Sequence, residues 1–172
     1  SFWTIISRQN TDDQITKCQK NQIEFNGIES KTFLEWVVNW ITLWQEEDKN
    51  GVGFISTKMD QNGIWGVQPM GIELYDGIGG VAIFLAILKR RELLQNTNLL
   101  ENILARLFMH TDKKRINGTG LFTGEGSVAF TYALLYIILE EERFLTYAEK
   151  QASRLSTLYK YDQNYDLLSG NA

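Results

Sequence analysis

The sequence holds one cysteine and one histidine in 172 residues. A lone thiol, Cys18, excludes an intrachain disulfide. Lys and Arg total 17 and are scattered, so no basic stripe is available to neutralise phosphates, and nucleic acid is set aside as a partner. Long apolar runs are also missing. Gly77 to Leu88 stops at Lys89 and Val128 to Leu139 stops at Glu140, each after about a dozen residues, short of the roughly 20 that a membrane span needs. The first residues lack a basic stretch followed by an apolar run, so no signal peptide is read and a cytoplasmic location is the default expectation. What is present is a composition of 44% hydrophobic and 22% charged residues with a net charge of -4, which excludes intrinsic disorder and fits a globular domain with its own core.

The most informative feature is an internal repeat. Leu74-Tyr75-Asp76-Gly77-Ile78-Gly79-Gly80-Val81-Ala82 aligns without a gap on Leu121-Phe122-Thr123-Gly124-Glu125-Gly126-Ser127-Val128-Ala129, at an offset of 47 residues. A further step of 46 residues places Leu167-Leu168-Ser169-Gly170-Asn171-Ala172 on the same frame, with Gly170 on Gly124 and Ala172 on Gly126. Repeats of this length, two helices each, build stacked or closed helical arrays. The chain opens on Ser1 and stops inside the third copy, so a fragment truncated at the start of a third glycine motif is expected.

Helical periodicity follows each motif. Val81, Phe84, Leu85 and Leu88 predict one inner apolar helix, and Val128, Tyr132, Leu135 and Leu139 a second. Leu99 to His110 and Arg143 to Tyr159 read as amphipathic outer partners, with buried stripes of Leu100, Ile103, Leu104, Leu107 and of Phe144, Tyr147, Ala148, Leu155. Glycines at the inner helix starts remove Cβ atoms where backbones crowd and leave free N–H groups facing the mouth of the array. Ahead of the repeats, Ser30 or Thr32 can cap a helix running to about Lys49, with Glu35 completing a capping box from Thr32 and Phe33, Val37, Trp40, Ile41 and Trp44 as its apolar face. Phe54 to Met59 and Ile64 to Pro69 flank Asp60-Gln61-Asn62-Gly63, whose Asn-Gly step signals a hairpin. Residues 1–29 carry no firm pattern. The expected fold is all-α, a partial α/α toroid of helix-pair repeats preceded by a short β-hairpin.

Glu73-Leu74-Tyr75-Asp76-Gly77-Ile78-Gly79-Gly80-Val81-Ala82-Ile83-Phe84-Leu85-Ala86 resembles the LYDG-x-x-G-[ILV]-A-x-F-L-A motif that opens the cyclase domain of class II lanthipeptide synthetases. Gly120 to Ser127 is similar to that family's second inner-helix motif, and Tyr165 to Ala172 resembles its D-[LV]-[IL]-x-G-x-A-G motif. The resemblance covers roughly residues 30–172. It implies an α/α toroid of seven helix pairs that joins cysteine thiols of a precursor peptide to dehydrated serine or threonine residues, forming lanthionine thioether rings. The precursor peptide and the remainder of a synthetase chain are the implied partners. It also implies a zinc ion held by two Cys and one His of later repeats, which lowers the substrate thiol's pKa. His110 and Cys18 stand in neither metal motif, so no zinc is expected in this segment. Asp166 and Gly170 reproduce the spacing of the family's D-x-x-x-G motif, which makes Asp166 the candidate catalytic residue. An aspartate near pKa 3.9 is a poor base toward a thiol near 8.5, so the implied role is to steer protons or orient substrate.

The remaining candidates have plainer readings. Asp76 is expected to cap the helix that Gly77 leads, with Thr123 and Ser169 in the equivalent places. Glu125 is expected to interact with a helix dipole, His110 to sit in the last turn of an outer helix, and Cys18 to be an indifferent thiol. Trp36, Trp40 and Trp44 recur every four residues as a packing stripe. Two other functions stay open. A different α/α toroid enzyme, a glycoside hydrolase or lyase, would use carboxylates such as Asp76, Glu125 and Asp166. A non-catalytic repeat scaffold would bind peptide along its groove.

Overall fold

The computed structural model describes residues 30–49, 51–59, 62–113 and 118–161, together with 163, 166, 168 and 170. Residues 1–29, Cys18 among them, lie outside the described residues. Contacts divide the chain into Ser1–Phe33 and Leu34–Ala172, and nearly everything described belongs to the second unit.

The order of elements is α1 (Ser30–Leu43), β1 (Glu46–Asp48), β2 (Gly51–Gly53), β3 (Ile55–Met59), β4 (Trp65–Pro69), α2 (Ile78–Arg90), α3 (Asn98–Lys113), α4 (Glu125–Leu139) and α5 (Glu142–Leu158). The fold is predominantly helical, as the periodicity predicts, with antiparallel hairpins ahead of the first repeat. One of these hairpins follows the Asn-Gly signal: Ile55 pairs with Pro69 and Met59 with Trp65, and Gly63 takes φ +79° in the turn.

The start of the chain departs from expectation. Helix α1 ends at Leu43 instead of near Lys49, because Glu46–Asp48 is drawn into a second antiparallel pair with Gly51–Gly53. Arg106 of α3 holds that pair in place, donating from Nη2 to the Gly51 carbonyl at 2.9 Å and meeting Asp48 Oδ1 at 2.8 Å. Thr32 lies inside α1, so the capping box built on it is not the start of the helix. Trp36 and Trp40 meet edge-on at 5.6 Å and Trp40 stacks with Trp44 at 5.9 Å, the packing stripe that a four-residue spacing predicts.

The core lies between the helix pairs. Helix α2 buries Ile78, Ala82, Leu85, Ala86 and Leu88, whereas Val81 and Phe84 are only half-buried. The stripe is thus rotated from the predicted one, because α2 packs against both α3 and α4 and needs a broader apolar arc. Helix α4 buries Val128, Tyr132 and Leu135 and leaves Leu139 half-buried near its end. Leu100, Ile103, Leu104 and Leu107 of α3, all in the predicted stripe, and Phe144 and Ala148 of α5 close the other side, while Tyr147 and Leu155 of the predicted α5 stripe are only half-buried. Each large side chain taken fully from water contributes about 1.5–3 kcal/mol.

Candidate active site

The glycine motifs fold as a repeated loop. In the first, the Ile78 N–H donates to the Gly71 carbonyl at 2.8 Å; in the second, the Glu125 N–H donates to the Gly118 carbonyl at 3.1 Å. Both donors and both acceptors are equivalent at the 47-residue offset, so the local fold repeats bond for bond. The helix N-caps are Gly77 and Gly124. Gly124 sits at φ +107°, a conformation that L side chains rarely adopt, and a Cβ there would also stand 2.7 Å from the Gly118 carbonyl oxygen. A Cβ on Gly126 would press on the Thr119 carbonyl oxygen. Crowding at the inner helix starts is therefore real, but it comes mainly from the loop that precedes each helix. Gly79 alone of these meets the neighbouring inner helix, through Thr131 Oγ1 at 3.0 Å from its would-be Cβ.

Successive loops are joined at equivalent residues. The Tyr75 N–H donates to the Phe122 carbonyl at 3.1 Å, and the Phe122 and Thr123 N–H groups donate to the Leu168 carbonyl at 3.3 and 3.0 Å. Tyr75, Phe122 and Leu168 occupy the same place in the three motif copies. A backbone ladder thus runs across the starts of the inner helices and carries the third motif into line with the other two.

On this ladder Asp166 is exposed, its Oδ1 accepts the Leu168 N–H at 3.1 Å, and its carbonyl accepts the Gly170 N–H at 2.7 Å. The first of these bonds is an Asx turn, which fixes the carboxylate beside the ladder while leaving it exposed. Gly170 is buried behind it. Leu167, Ser169, Asn171 and Ala172 lie outside the described residues.

Capping by Asp76 is not observed. The N-cap falls on Gly77 with no side-chain cap bond, and Asp76 is an exposed residue one place earlier. Thr123, its equivalent, donates from Oγ1 to the Leu168 carbonyl at 3.2 Å, which serves the ladder instead of the helix end. The physical reason is shared: the loop carbonyls of Gly71 and Gly118 already take the first helical N–H groups, so a side-chain cap has less to do. Glu125 opens α4 and is 2% exposed, which places its carboxylate at the positive end of the helix and away from the solvent-facing rim. His110 lies in the last turn of α3, as expected. Among the described residues no group of three His, Cys, Asp or Glu side chains could hold a metal ion.

Titratable groups with altered affinity for protons lie behind the ladder, where α3 meets its neighbours. Thr111 donates to the Leu107 carbonyl, which leaves the Tyr132 hydroxyl to donate to Thr111 Oγ1 at 2.9 Å, and burial raises the Tyr132 pKa beyond the usual phenol range. Asp112 accepts from Lys150 at 2.7 Å and from the Tyr147 hydroxyl at 2.8 Å. The Lys150 bond first, then that of Tyr147, holds the Asp112 carboxyl below its ordinary value, while burial and Asp112 raise Tyr147.

A model of the lanthionine synthetase C-like protein family matches residues 68–172. The chain belongs to that family. Among curated proteins no match is found. The family match begins within β4 and takes in all the glycine loops and both helix pairs, so the ladder is a feature of the lanthionine synthetase C-like region itself. Reading the motifs alone missed Gly71 and Gly118, the loop carbonyls that replace a cap. Their signal was available, since they match at the same gapless offset a few residues before the aligned block.

Proposed function

We propose that this chain is the opening part of the cyclase domain of a class II lanthipeptide synthetase. The reaction adds a peptide cysteine sulfur to the β-carbon of dehydroalanine or dehydrobutyrine. The carbon–carbon π bond breaks, the S–C bond forms, and the thiol proton is replaced by one delivered to the α-carbon. The observation that carries the reading is the family match over a region whose glycine loops are tied into one ladder with Asp166 fixed and exposed beside it. There Asp166 would guide the proton or orient the peptide, and the rim loops would form part of a closed α/α toroid.

Zinc, where bound in such a domain, would supply acidification of the thiol. The described residues offer no ligand set for it, so no step is assigned to the metal here.

The test gives a dehydrated peptide with one free cysteine to the protein carrying this sequence. Ring formation leaves mass unchanged while the thiol ceases to react with an alkylating reagent. Asp166→Asn is expected to slow that loss about 100-fold or more, the range general acid–base groups contribute, with the melting temperature of the protein unaltered. Equal rates would demote Asp166 to a turn residue, and failure of the unsubstituted protein to consume thiol would reject the cyclase reading.

A further inference from the structure

A cavity of about 400 Å³ lies far from the ladder, among α1, the β1–β2 pair, the connection 91–97 and the start of α3. It is at the opposite end of α2 from Gly77; a helix of 13 residues at 1.5 Å each separates the two by about 20 Å. Its size is within the usual range for small-ligand sites. The lining has a definite chemistry. Half-buried Val38, Leu93 and Leu94 supply apolar surface, Glu35 and Glu47 supply two carboxylates, and six of the other lining residues are carboxamides. Among the described residues no lysine, arginine or histidine lines it. Among the described residues no ion pair engages Glu35 or Glu47, and no hydrogen bond engages the side chains of Asn39, Gln45 or Asn102.

These features select one kind of occupant. Ionised carboxylates only accept hydrogen bonds, so a ligand answering both must bring donors and positive charge. Carboxamides both donate and accept, as a peptide backbone does. Apolar surface suits the methylene stem of a long cationic side chain. The wall formed by Leu93, Leu94, Gln95 and Asn96 has no counterpart in the second helix pair, where only residues 140–141 join α4 to α5. The cavity therefore belongs to the first pair alone.

We propose that this cavity binds an extended peptide segment through a lysine or arginine side chain, its stem on Val38, Leu93 and Leu94 and its charge at Glu35 and Glu47. The inference stands apart from the cyclisation chemistry, since it uses none of the ladder residues. The probe is a hexapeptide with blocked termini and one central lysine, titrated by calorimetry into the protein at low and at physiological salt. The expected result is saturable binding that weakens with salt, falls at least tenfold when norleucine replaces the lysine, and falls similarly in the Glu35→Gln, Glu47→Gln double variant. No binding, or equal binding of the norleucine peptide, overturns the proposal. Unchanged affinity in a double variant that melts like the parent overturns the location. Spermidine binding as tightly as the peptide and displacing it would assign the cavity to free polyamines instead. Should the double variant fail to fold, the lysine-to-norleucine comparison on the parent protein still decides the cationic requirement.

Discussion

The two helix pairs begin alike and return differently. At their starts, the loops 71–77 and 118–124 make the same carbonyl-to-helix bond and join through equivalent residues. At the far end, α2 passes to α3 through residues 91–97, whereas α4 turns into α5 through 140–141, with Glu140 forced to φ +60°. Arg90 braces that tight turn, reaching Glu140 at 2.6 Å and the Ile138 carbonyl at 3.2 Å. A backbone ladder demands identical geometry from each copy, so the loops cannot drift, while an outer connection needs only to close a chain and is free to change length. Chemistry placed on the ladder is held rigidly, and variation collects at the other end, where the cationic-peptide cavity is proposed.

The largest effects should come from breaking the repeated loops. Gly124→Ala combines a disfavoured backbone with overlap on the Gly118 carbonyl and is expected to cost about 2–6 kcal/mol. Gly77→Ala meets the Glu73 backbone without the positive φ, and about 1–3 kcal/mol is expected. Gly63→Ala, at φ +79° in open space, isolates the backbone cost alone, about 1–2 kcal/mol. Urea denaturation of the three variants checks the order; equal losses at Gly124 and Gly63 would mean that loop crowding contributes nothing. Close to Gly124→Ala in size and above the other two glycine variants, Leu85→Ala tests the position equivalent to Tyr132, both fully buried, and should lose about 2–5 kcal/mol by the same measurement.

How much of this was legible follows from what each element depends on. The helices were readable because their apolar spacing is a local record of burial, and the Asn62-Gly63 hairpin because turn chemistry is local too. The β1–β2 pair was not, because Glu46-Glu47-Asp48 has no strand character and is held by Arg106, remote in sequence. The Asp76 cap was misread for a similar reason: an Asp before a glycine-led helix is a common cap, and only the loop carbonyl of Gly71 shows the work already done. Asp166 was found by motif, while its Asx turn and the ladder behind it required the fold.

A smaller effect distinguishes the cores of the two inner helices, since Tyr132 puts a hydroxyl where α2 has Leu85. Tyr132→Phe removes one buried hydrogen bond while Thr111 keeps Leu107 as its acceptor, so a loss of about 1 kcal/mol is expected. The phenol's pKa is raised on folding, so its contribution is complete below the unfolded value of about 10 and disappears as pH rises through the folded one. Melting temperature above pH 10 should accordingly fall more steeply in the parent than in the Phe variant. Parallel slopes would refute the assignment to Tyr132.

The smallest effect concerns the outer seam, where Asp112 ties α3 to Lys150 and Tyr147 of α5. The carboxylate and its lysine partner are each nearly half exposed, 45% and 46%, so solvent screens the pair and about 0.2–1 kcal/mol is the realistic contribution. Asp112 has its pKa lowered on folding, chiefly by the Lys150 bond. Its contribution is therefore present above the unfolded value of about 4 and is lost as pH falls through the lower folded value. Asp112→Asn should reduce stability slightly at pH 7 and progressively less as pH falls below the unfolded value, with the pH 7 difference shrinking further at 1 M salt. Thermal melts of parent and variant at these conditions decide the matter. A difference that does not shrink as pH falls would mean that the seam depends on Asp112 for packing or hydrogen-bond geometry, and charge would then be irrelevant to how the second helix pair leans on the first.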